Sequence, residues 1–178
     1  MFEQYNSPEF EANYTYTGND LGATWNADNT QFRLWAPTAD SVQIHLYKSG
    51  DADAKDLLET LDMTNDVQGT WVASKEGNLH GVYYTYLVER DGKKVEVCDP
   101  YARTTAINGN RAMILDLNST NPEGWDTDAD PNANKAITDA IIYELHVRDL
   151  SMNENSGIEH KGKYLGLAET GTKNPKYT

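Results

Sequence analysis

One acidic stretch of the sequence has the composition of a calcium-binding loop. Residues 126–130 carry aspartate at every second position, as an EF-hand loop does. That loop also requires glycine at its sixth position and glutamate at its twelfth, and here Pro131 and Ile137 occupy those places. The four histidines show no ligand spacing, and Cys98 is the only cysteine. The sequence therefore predicts no metal site and no other cofactor.

Acid–base chemistry on a sugar needs two carboxyl groups that flank the glycosidic bond. The chain has 28 acidic residues, and no spacing among them selects such a pair. We therefore predict no catalytic residue from the carboxylates of this chain.

Aromatic side chains offer a second kind of chemistry, because an amphipathic ring can stack on one face of a sugar while nearby polar groups bind its hydroxyls. The chain has four tryptophans and eleven tyrosines. Trp35 and Trp71 lie within strand-like patterns, so we expect both in the core. Trp25, Trp125 and the tyrosines of residues 82–88 are the remaining candidates for a binding surface.

Alternating apolar residues predict the elements that would position these side chains. The apolar residues of segment 42–46 alternate with polar ones, and residues 82–88 show the same period of two, which is typical of half-buried strands. Asp91-Gly92 then predicts a tight hairpin that returns through residues 95–97. Further short strands are predicted at residues 32–35 and 113–117. The pattern predicts an all-β fold, a sandwich or barrel of antiparallel strands.

Residues 53–61 are open to two interpretations. Three leucines could share one face of a short helix, and the flanking residues equally suit a strand that ends at Met63. We favour the strand.

The second part of the chain has a different composition. Residues 118–139 are rich in Asn, Asp, Pro and Thr, which predicts a linker on a surface. Residues 140–147 are nearly all apolar, as in a strand that is buried on both faces of a parallel sheet. Such a strand needs parallel neighbours, and none follows. We therefore expect residues after about 138 to be poorly anchored or to make non-native contacts.

Charge and hydropathy exclude several classes of partner. The formal net charge of −13 repels phosphate backbones and anionic lipids, so we expect no nucleic acid and no membrane as partner. Residues 1–16 lack the basic and apolar regions of a signal peptide. We therefore expect a cytoplasmic protein, or a secreted one whose signal peptide has been removed. We expect Cys98 to be a half-buried free thiol.

Several motifs along the first part of the chain resemble the family 48 carbohydrate-binding module, which precedes the catalytic barrel in pullulanases, isoamylases and branching enzymes. They follow the family's order: Phe32-Arg33-Leu34-Trp35-Ala36-Pro37-Thr38-Ala39, Val42-Gln43-Ile44-His45-Leu46, Gly69-Thr70-Trp71, Gly81-Val82-Tyr83-Tyr84-Thr85-Tyr86, Cys98-Asp99-Pro100-Tyr101-Ala102 and Ile107-Asn108-Gly109. The resemblance implies an immunoglobulin-like β-sandwich over residues 16–118, after an N-terminal extension at 1–15.

The rest of the chain resembles type I pullulanases of glycoside hydrolase family 13, through residues 120–125, 140–151, 156–157 and 161–165. This implies a linker at 119–139 and the start of a (β/α)₈ barrel at 140–178, with its first strand at 141–148. A barrel needs about 250 residues, and the family's catalytic carboxylates lie on later strands. The resemblance therefore implies a non-catalytic part of an enzyme that hydrolyses α-1,6-glucosidic bonds in starch, glycogen or pullulan.

Glycogen-binding members of the family stack the sugar on two tryptophans. The corresponding places here hold Tyr47 and Lys94, which are the candidate carbohydrate-binding residues that the resemblance implies. Because both tryptophans are missing, we favour a module that packs against and supports its own catalytic barrel over a module that binds an α-glucan. A stand-alone carbohydrate-binding or scaffold module stays open, as does a partner-binding role for the apolar segment at 140–147.

Overall fold

Two antiparallel sheets form the first part of the molecule in the computed structural model, which describes residues 3–130, 133 and 135–173. The strands are β1 (Gly22–Trp25), β2 (Asn29–Trp35), β3 (Ser41–Tyr47), β4 (Leu57–Asp62), β5 (Thr64–Asn65), β6 (Thr70–Glu76), β7 (Tyr83–Arg90), β8 (Lys93–Val97) and β9 (Ala112–Met113). The first sheet has the order β1-β2-β6-β5, and the second has the order β4-β3-β7-β8 with β9 also paired to β7. The predicted all-β antiparallel sandwich is confirmed. The strand interpretation of residues 53–61 is confirmed from Leu57 onward, whereas residues 53–56 lie in the loop before β4.

The core lies between the two sheets, because each strand turns every second side chain inward. Phe32, Leu34 and Trp71 come from the first sheet, and Ile44 and Tyr86 are among those from the second. Ile44 and Tyr86 are fully buried and lie opposite each other in the β3–β7 register.

The prediction that Trp35 lies in the core is wrong, because its side chain is 37% exposed. The reason is the strand period: Phe32 and Leu34 point inward, so Trp35 points to the outer face. Its indole Nε1 donates a hydrogen bond of 2.8 Å to the carbonyl of Tyr14 at the end of helix α1 (Pro8–Tyr14).

The strand predicted at 113–117 is shorter than expected. Regular pairing of β9 covers only Ala112 and Met113. Ile114 still exchanges hydrogen bonds with the residues just before β7: its amide donates to the carbonyl of Val82 at 2.9 Å, and its carbonyl accepts from the amide of Gly81 at 2.7 Å. Beyond it Asp116 caps a 3₁₀ turn, which draws the chain away from the sheet.

The described part of the chain contains one further α-helix and several 3₁₀ turns. Helix α2 spans Val147–Met152. The 3₁₀ turns are Glu3–Asn6, Val67–Gly69, Ile107–Gly109, Leu117–Thr120, Trp125–Thr127, Ile137–Asp139, Glu154–Ser156 and Tyr164–Leu167. No helix among the described residues is long and apolar enough to cross a membrane.

The chain divides into two compact units, Met1–Glu123 and Gly124–Thr178. The domain boundaries drawn from the sequence at residues 15, 118 and 139 stay predictions. In the described part of the second unit Ser151 is the buried residue, and its hydroxyl accepts a 2.6 Å hydrogen bond from the amide of Gly162.

The barrel strand predicted at 141–148 is wrong for this chain in isolation. Residues 141–146 form no strand, and α2 begins at Val147. A parallel strand needs neighbouring strands for its hydrogen bonds, whereas a helix is satisfied locally. Here the amide of Leu150 donates to the carbonyl of His146 at 3.0 Å. The exposure of Ile141 (97%) and Ile142 (87%) fits the expectation of poor anchoring.

Candidate functional site

A cavity of about 510 Å³ lies between the loop that follows β3 and the hairpin that precedes β9. Tyr83, at the start of β7, contributes its aromatic ring to the lining. The loop brings in Asp51 and Asp53, and the hairpin brings in Asn108 and Asn110. An aromatic ring beside two amides and two carboxylates offers a stacking surface and hydrogen-bonding groups for a polyhydroxylated ligand.

The backbone of both walls depends on glycine or asparagine. A β-carbon on Gly50 would lie 2.5 Å from the β-carbon of Ala106 and 2.8 Å from the ring of Tyr83, so a larger residue would push the two walls apart. Asn108 has a φ of 63°, a left-handed conformation that asparagine tolerates better than most residues. The Asn-Gly pair at the hairpin tip thus supports the turn and places an amide at the cavity.

Arg111 ties the two walls together. Its side chain is buried, and its Nη1 donates to the carbonyl of Ser49 at 2.8 Å and to the carboxylate of Asp56 at 2.9 Å. Its Nη2 donates to the carbonyl of Ala54 at 3.2 Å. Hydrogen bonds from the side chain of Ser49, from Arg111 and from the backbone of Ser49 lower the pKa of Asp56, so the carboxylate stays ionised near neutral pH and Arg111 stays paired.

Tyr47 lies beneath Arg111 rather than open to solvent. The guanidinium carbon of Arg111 is 3.6 Å from the centre of the Tyr47 ring, a cation–π contact, and Tyr47 is 8% exposed. The Tyr47 hydroxyl donates a hydrogen bond to Glu96. In the β3–β7 register Tyr47 lies directly opposite Tyr83, which lines the cavity.

A polar cluster continues from Tyr47 across the outer face of the second sheet. The Thr85 hydroxyl donates to Glu96 Oε1 at 2.5 Å, and His45 Nδ1 lies 3.2 Å from the Tyr47 hydroxyl oxygen. Burial alone would raise the pKa of Glu96, but the hydrogen bonds from Thr85 and Tyr47 lower it overall. Burial and the bond to Glu96 raise the pKa of Tyr47. At neutral pH the pair therefore holds its proton on the phenol.

An ionised Glu96 and a protonated Tyr47 can form hydrogen bonds with a ligand, but they do not provide the general acid that glycoside cleavage requires. A general acid for glycoside cleavage needs a raised pKa and access to the substrate. Glu96 has a lowered pKa. Asp99 has a pKa raised by burial, but it is only 4% exposed and accepts a 2.5 Å hydrogen bond from Tyr84 inside the core.

The second residue implied by the resemblance, Lys94, lies elsewhere on the sheet. Its Nζ is 3.6 Å from the carboxylate of Glu89, and Glu89 pairs with Ser41 at the opposite end of β3 from Tyr47. Six residues of strand separate those ends by about 20 Å. The structure does not bring Tyr47 and Lys94 together, and their role in carbohydrate binding stays a prediction.

Sequence reasoning included Tyr83 among the tyrosines of residues 82–88 that could form a binding surface, but it did not select Asn110 or Arg111 as site residues. The Asn108-Gly109 dipeptide was a usable signal, because it predicts a turn. Which loop that turn faces depends on the sheet register, and no local pattern reports it.

The fold and this surface can be compared with known proteins. The family model described as "Carbohydrate-binding module 48 (Isoamylase N-terminal domain)" matches residues 20–102, which run from just before β1 to the turn after β8. Residues 20–102 form a family 48 carbohydrate-binding module. The matched range includes Tyr47 and Tyr83, and the hairpin at 106–110 lies just beyond it.

Relatives of the module extend the similarity into the second unit. A pullulanase of Bacillus subtilis is 36% identical over 166 residues, which are 92% of this chain and 21% of that protein. A chloroplastic pullulanase of Arabidopsis thaliana is 34% identical over 86% of this chain and 17% of its own length. The chain thus spans about a fifth of the length of these curated relatives and corresponds to an N-terminal region of pullulanases that contains the module.

Solved structures agree with this placement. A pullulanase of Paenibacillus barengoltzii in complex with maltotriose matches with a TM-score of 0.86 and 46% identity, over 96% of this chain and 26% of that one. A pullulanase of Bacillus acidopullulyticus matches with a TM-score of 0.82 and 43% identity, over 93% of this chain and 20% of that one.

Proposed function

We propose that the module binds α-glucan chains in the cavity between the loop at 50–53 and the hairpin at 106–110, as a non-catalytic part of a starch- or glycogen-debranching enzyme. The observation that carries the proposal is the lining of that cavity. The ring of Tyr83 lies beside the amides of Asn108 and Asn110, and Arg111 holds the walls in place. The ligand is neutral, so the net charge of −13 does not oppose its approach.

Maltoheptaose titrated into the 178-residue chain, followed by calorimetry, tests this proposal. Tyr83→Ala should weaken binding by about tenfold, because it removes both the stacking interaction, roughly 0.5–1.5 kcal/mol, and the apolar area that the ring buries against the sugar. Asn108→Gly removes one amide but suits the positive φ, so it should weaken binding without distorting the hairpin. Unchanged affinity in both variants would rule out this cavity as the binding site.

Lys94→Ala is the matched control, because it tests the residue that the resemblance implied. If the cavity is the site, this variant should bind like the unaltered chain. A large loss of affinity in Lys94→Ala with none in Tyr83→Ala would move the site to the other end of the sheet.

The enzyme to which the module belongs should act on α-1,6-glucosidic bonds, since the pullulanase relatives cover almost the whole chain. Asp99, whose pKa is raised by burial, lies in the core and is only 4% exposed, so it cannot reach a substrate. We therefore expect the 178-residue chain alone to release no reducing ends from pullulan. Reducing-sugar release above that of a heat-denatured sample would contradict the non-catalytic assignment.

A second role, support of a catalytic barrel, is favoured by the second unit. Ile141, Ile142 and Tyr143 are 97%, 87% and 79% exposed, and such an apolar patch is typical of a surface that another structure covers. In the longer enzyme, hydrogen exchange at these amides should be far slower than in the 178-residue chain. Equal exchange in both proteins would argue against this role.

A further inference from the structure

A second cavity, outside the candidate site, lies between β1 and the segment 101–118. Its volume is about 340 Å³, within the size range of small-ligand sites. Tyr84 and Ile114 contribute to its lining, and they are 1% and 2% exposed. Its walls include the aromatic rings of Trp25 and Tyr101 and the polar residues Arg103, Thr104, Asp116 and Asn118. The cavity therefore combines a rigid apolar floor with two aromatic rings and several polar groups.

Trp25 is held in a defined orientation at this cavity. Its indole Nε1 donates a 3.1 Å hydrogen bond to Asn78 Oδ1, and its ring centre lies 5.8 Å from that of His80. His80 is fixed in turn, because its Nδ1 accepts a 3.1 Å hydrogen bond from the amide of Asp116. His80 thus links Trp25 on one side of the cavity to Asp116 on the other. These contacts orient Trp25 in the absence of a ligand.

Two polar groups at the cavity, the Arg103 guanidinium and the Asp116 carboxylate, can form further hydrogen bonds. Arg103 is exposed and forms no hydrogen bond or ion pair with any residue in the described part of the chain. Asp116 uses Oδ1 to accept the amide of Asn118 at 3.0 Å, which leaves its second carboxylate oxygen for a ligand. In contrast, Arg33 and Arg111 both have carboxylate partners.

This combination fits a neutral, polyhydroxylated ring better than an anion. Asp116 lies in the same cavity as Arg103, and the whole chain carries a net charge of −13, so a free anion would be repelled. A pyranose can stack one face on Trp25. Its hydroxyls can accept from a guanidinium and donate to a carboxylate.

We propose that this cavity is a second α-glucan-binding site, in which Trp25 stacks on a pyranose ring while Arg103 and Asp116 bind its hydroxyls. The choice of ligand rests on the proposed function, but the site and its residues do not. The hairpin that carries both sites joins them: Thr104 at its base lines this cavity, and Asn108 at its tip lines the other. A single glucan-binding face would then engage a polymer at two places, which raises avidity without a tighter individual site.

Titration of maltoheptaose into the ¹⁵N-labelled 178-residue chain separates the two sites by NMR. We expect two groups of amide shifts, one around Trp25 and residues 103–118 and one around Tyr83. Arg103→Gln should weaken binding at the first group about tenfold, which corresponds to the loss of one charge-assisted hydrogen bond. It should leave binding at Tyr83 unchanged.

Two further variants distinguish loss of binding from loss of folding. Arg103 is exposed and unpaired among the described residues, so Arg103→Gln should fold normally. Arg90→Gln removes another exposed arginine, at the end of β7 and outside the lining of both cavities, and serves as the control for loss of one positive charge. Because Arg90 donates to the Tyr5 hydroxyl and pairs with Asp91, its variant is compared at matched thermal stability. Trp25→Phe keeps an aromatic ring but loses the bond to Asn78, and it should weaken the same group of shifts only. Thermal unfolding of each variant reports whether the fold is intact.

The possible results are distinct. Shifts at Tyr83 alone, or equal affinity in Arg103→Gln and Arg90→Gln, would overturn the second site and leave the proposed function intact. Shifts at the Trp25 cavity alone would support the second site and move the proposed function away from Tyr83. The absence of any shift in the unaltered chain would overturn both proposals.

Discussion

Residues 42–46 and residues 140–147 are both apolar, strand-like segments, but only the first lies in a sheet. The first segment belongs to β3, which pairs with β4 on one side and β7 on the other. The second has no strand partner among the described residues, and its isoleucines are almost fully exposed. An apolar segment therefore gains the burial energy of a strand only where neighbouring strands also satisfy its backbone hydrogen bonds.

Hydrogen exchange should show the largest difference between the two segments. The amides of β3, which is paired on both sides, should open only with the global unfolding of the sandwich. Those of residues 141–146 donate to no described residue. We expect protection in β3 to approach the full free energy of unfolding, roughly 5–15 kcal/mol for a domain of this kind. Protection of 141–146 should be near zero. Comparable protection in the two segments, in a sample shown by light scattering to be monomeric, would mean that residues 141–146 are hydrogen-bonded in solution.

Matched isoleucine truncations should show the next largest difference. Ile44 is 0% exposed and Ile142 is 87% exposed. Ile44→Ala should lower the free energy of unfolding by about 2–5 kcal/mol, because it removes buried methyl groups and leaves a cavity. Ile142→Ala should change it by less than about 0.5 kcal/mol. Urea titrations followed by tryptophan fluorescence measure both, and similar losses would show that residue 142 packs in solution.

Asp99 should make the stability of the sandwich depend on pH in an unusual direction. Burial raises its pKa above the ordinary 3.8, although hydrogen bonds from Tyr84 and the amide of Tyr101 oppose the shift. In the window between 3.8 and the raised pKa, the unfolded chain loses this proton before the folded one. The contribution of Asp99 to stability is therefore present below pH 3.8 and is lost as pH rises through the raised pKa.

Comparison with Asp99→Asn isolates this contribution. The free energy of unfolding of the variant, relative to the unaltered chain, should rise across that window and then level off, by about 1.4 kcal/mol for each pH unit that separates the two pKa values. Urea titrations from pH 3.5 upward provide the measurement. A constant difference between the two proteins would mean that Asp99 titrates normally.

Glu169, in the second unit, should show the smallest effect and the opposite sign. Its carboxylate accepts from the amides of His160 at 2.6 Å and Glu159 at 3.0 Å, and both bonds lower its pKa. Its local stabilisation is present above the ordinary 4.5 and is lost as pH falls through the lowered pKa. Glu169→Gln should change the amide shifts of residues 159–160 and their pH dependence, without changing the unfolding of the sandwich. A change in the unfolding midpoint would show that the second unit contributes to the stability of the first.

Much of the sandwich was predictable because its determinants are local. The alternation at 42–46 and 82–88 and the Asp91-Gly92 turn correctly place β3, β7 and β8. The same reasoning failed for Trp35, since a one-residue change in phase decides which face of a strand a side chain takes. It failed for residues 141–148 because the stability of a parallel strand resides in its neighbours.

The candidate sites were less predictable than the fold. The resemblance directed attention to Tyr47, and the structure places it below Arg111, next to a cavity that Tyr83 lines. Tyr83 and Tyr47 are 36 positions apart in sequence and become neighbours only through the β3–β7 register. The cavity at Trp25 likewise depends on contacts between β1 and residues far along the chain.

The sequence by itself determined that this chain is β-rich and acidic, that it resembles the N-terminal region of pullulanases and that no metal-binding spacing is present. These properties follow from composition, from a two-residue period and from motif order, all of which are local along the chain. Only the tertiary structure decided which aromatic rings are buried, which line cavities and which arginines remain unpaired. The physical reason is that burial and hydrogen-bond partnership belong to pairs of residues, and the pairs that matter here are brought together by sheet register rather than by proximity in sequence.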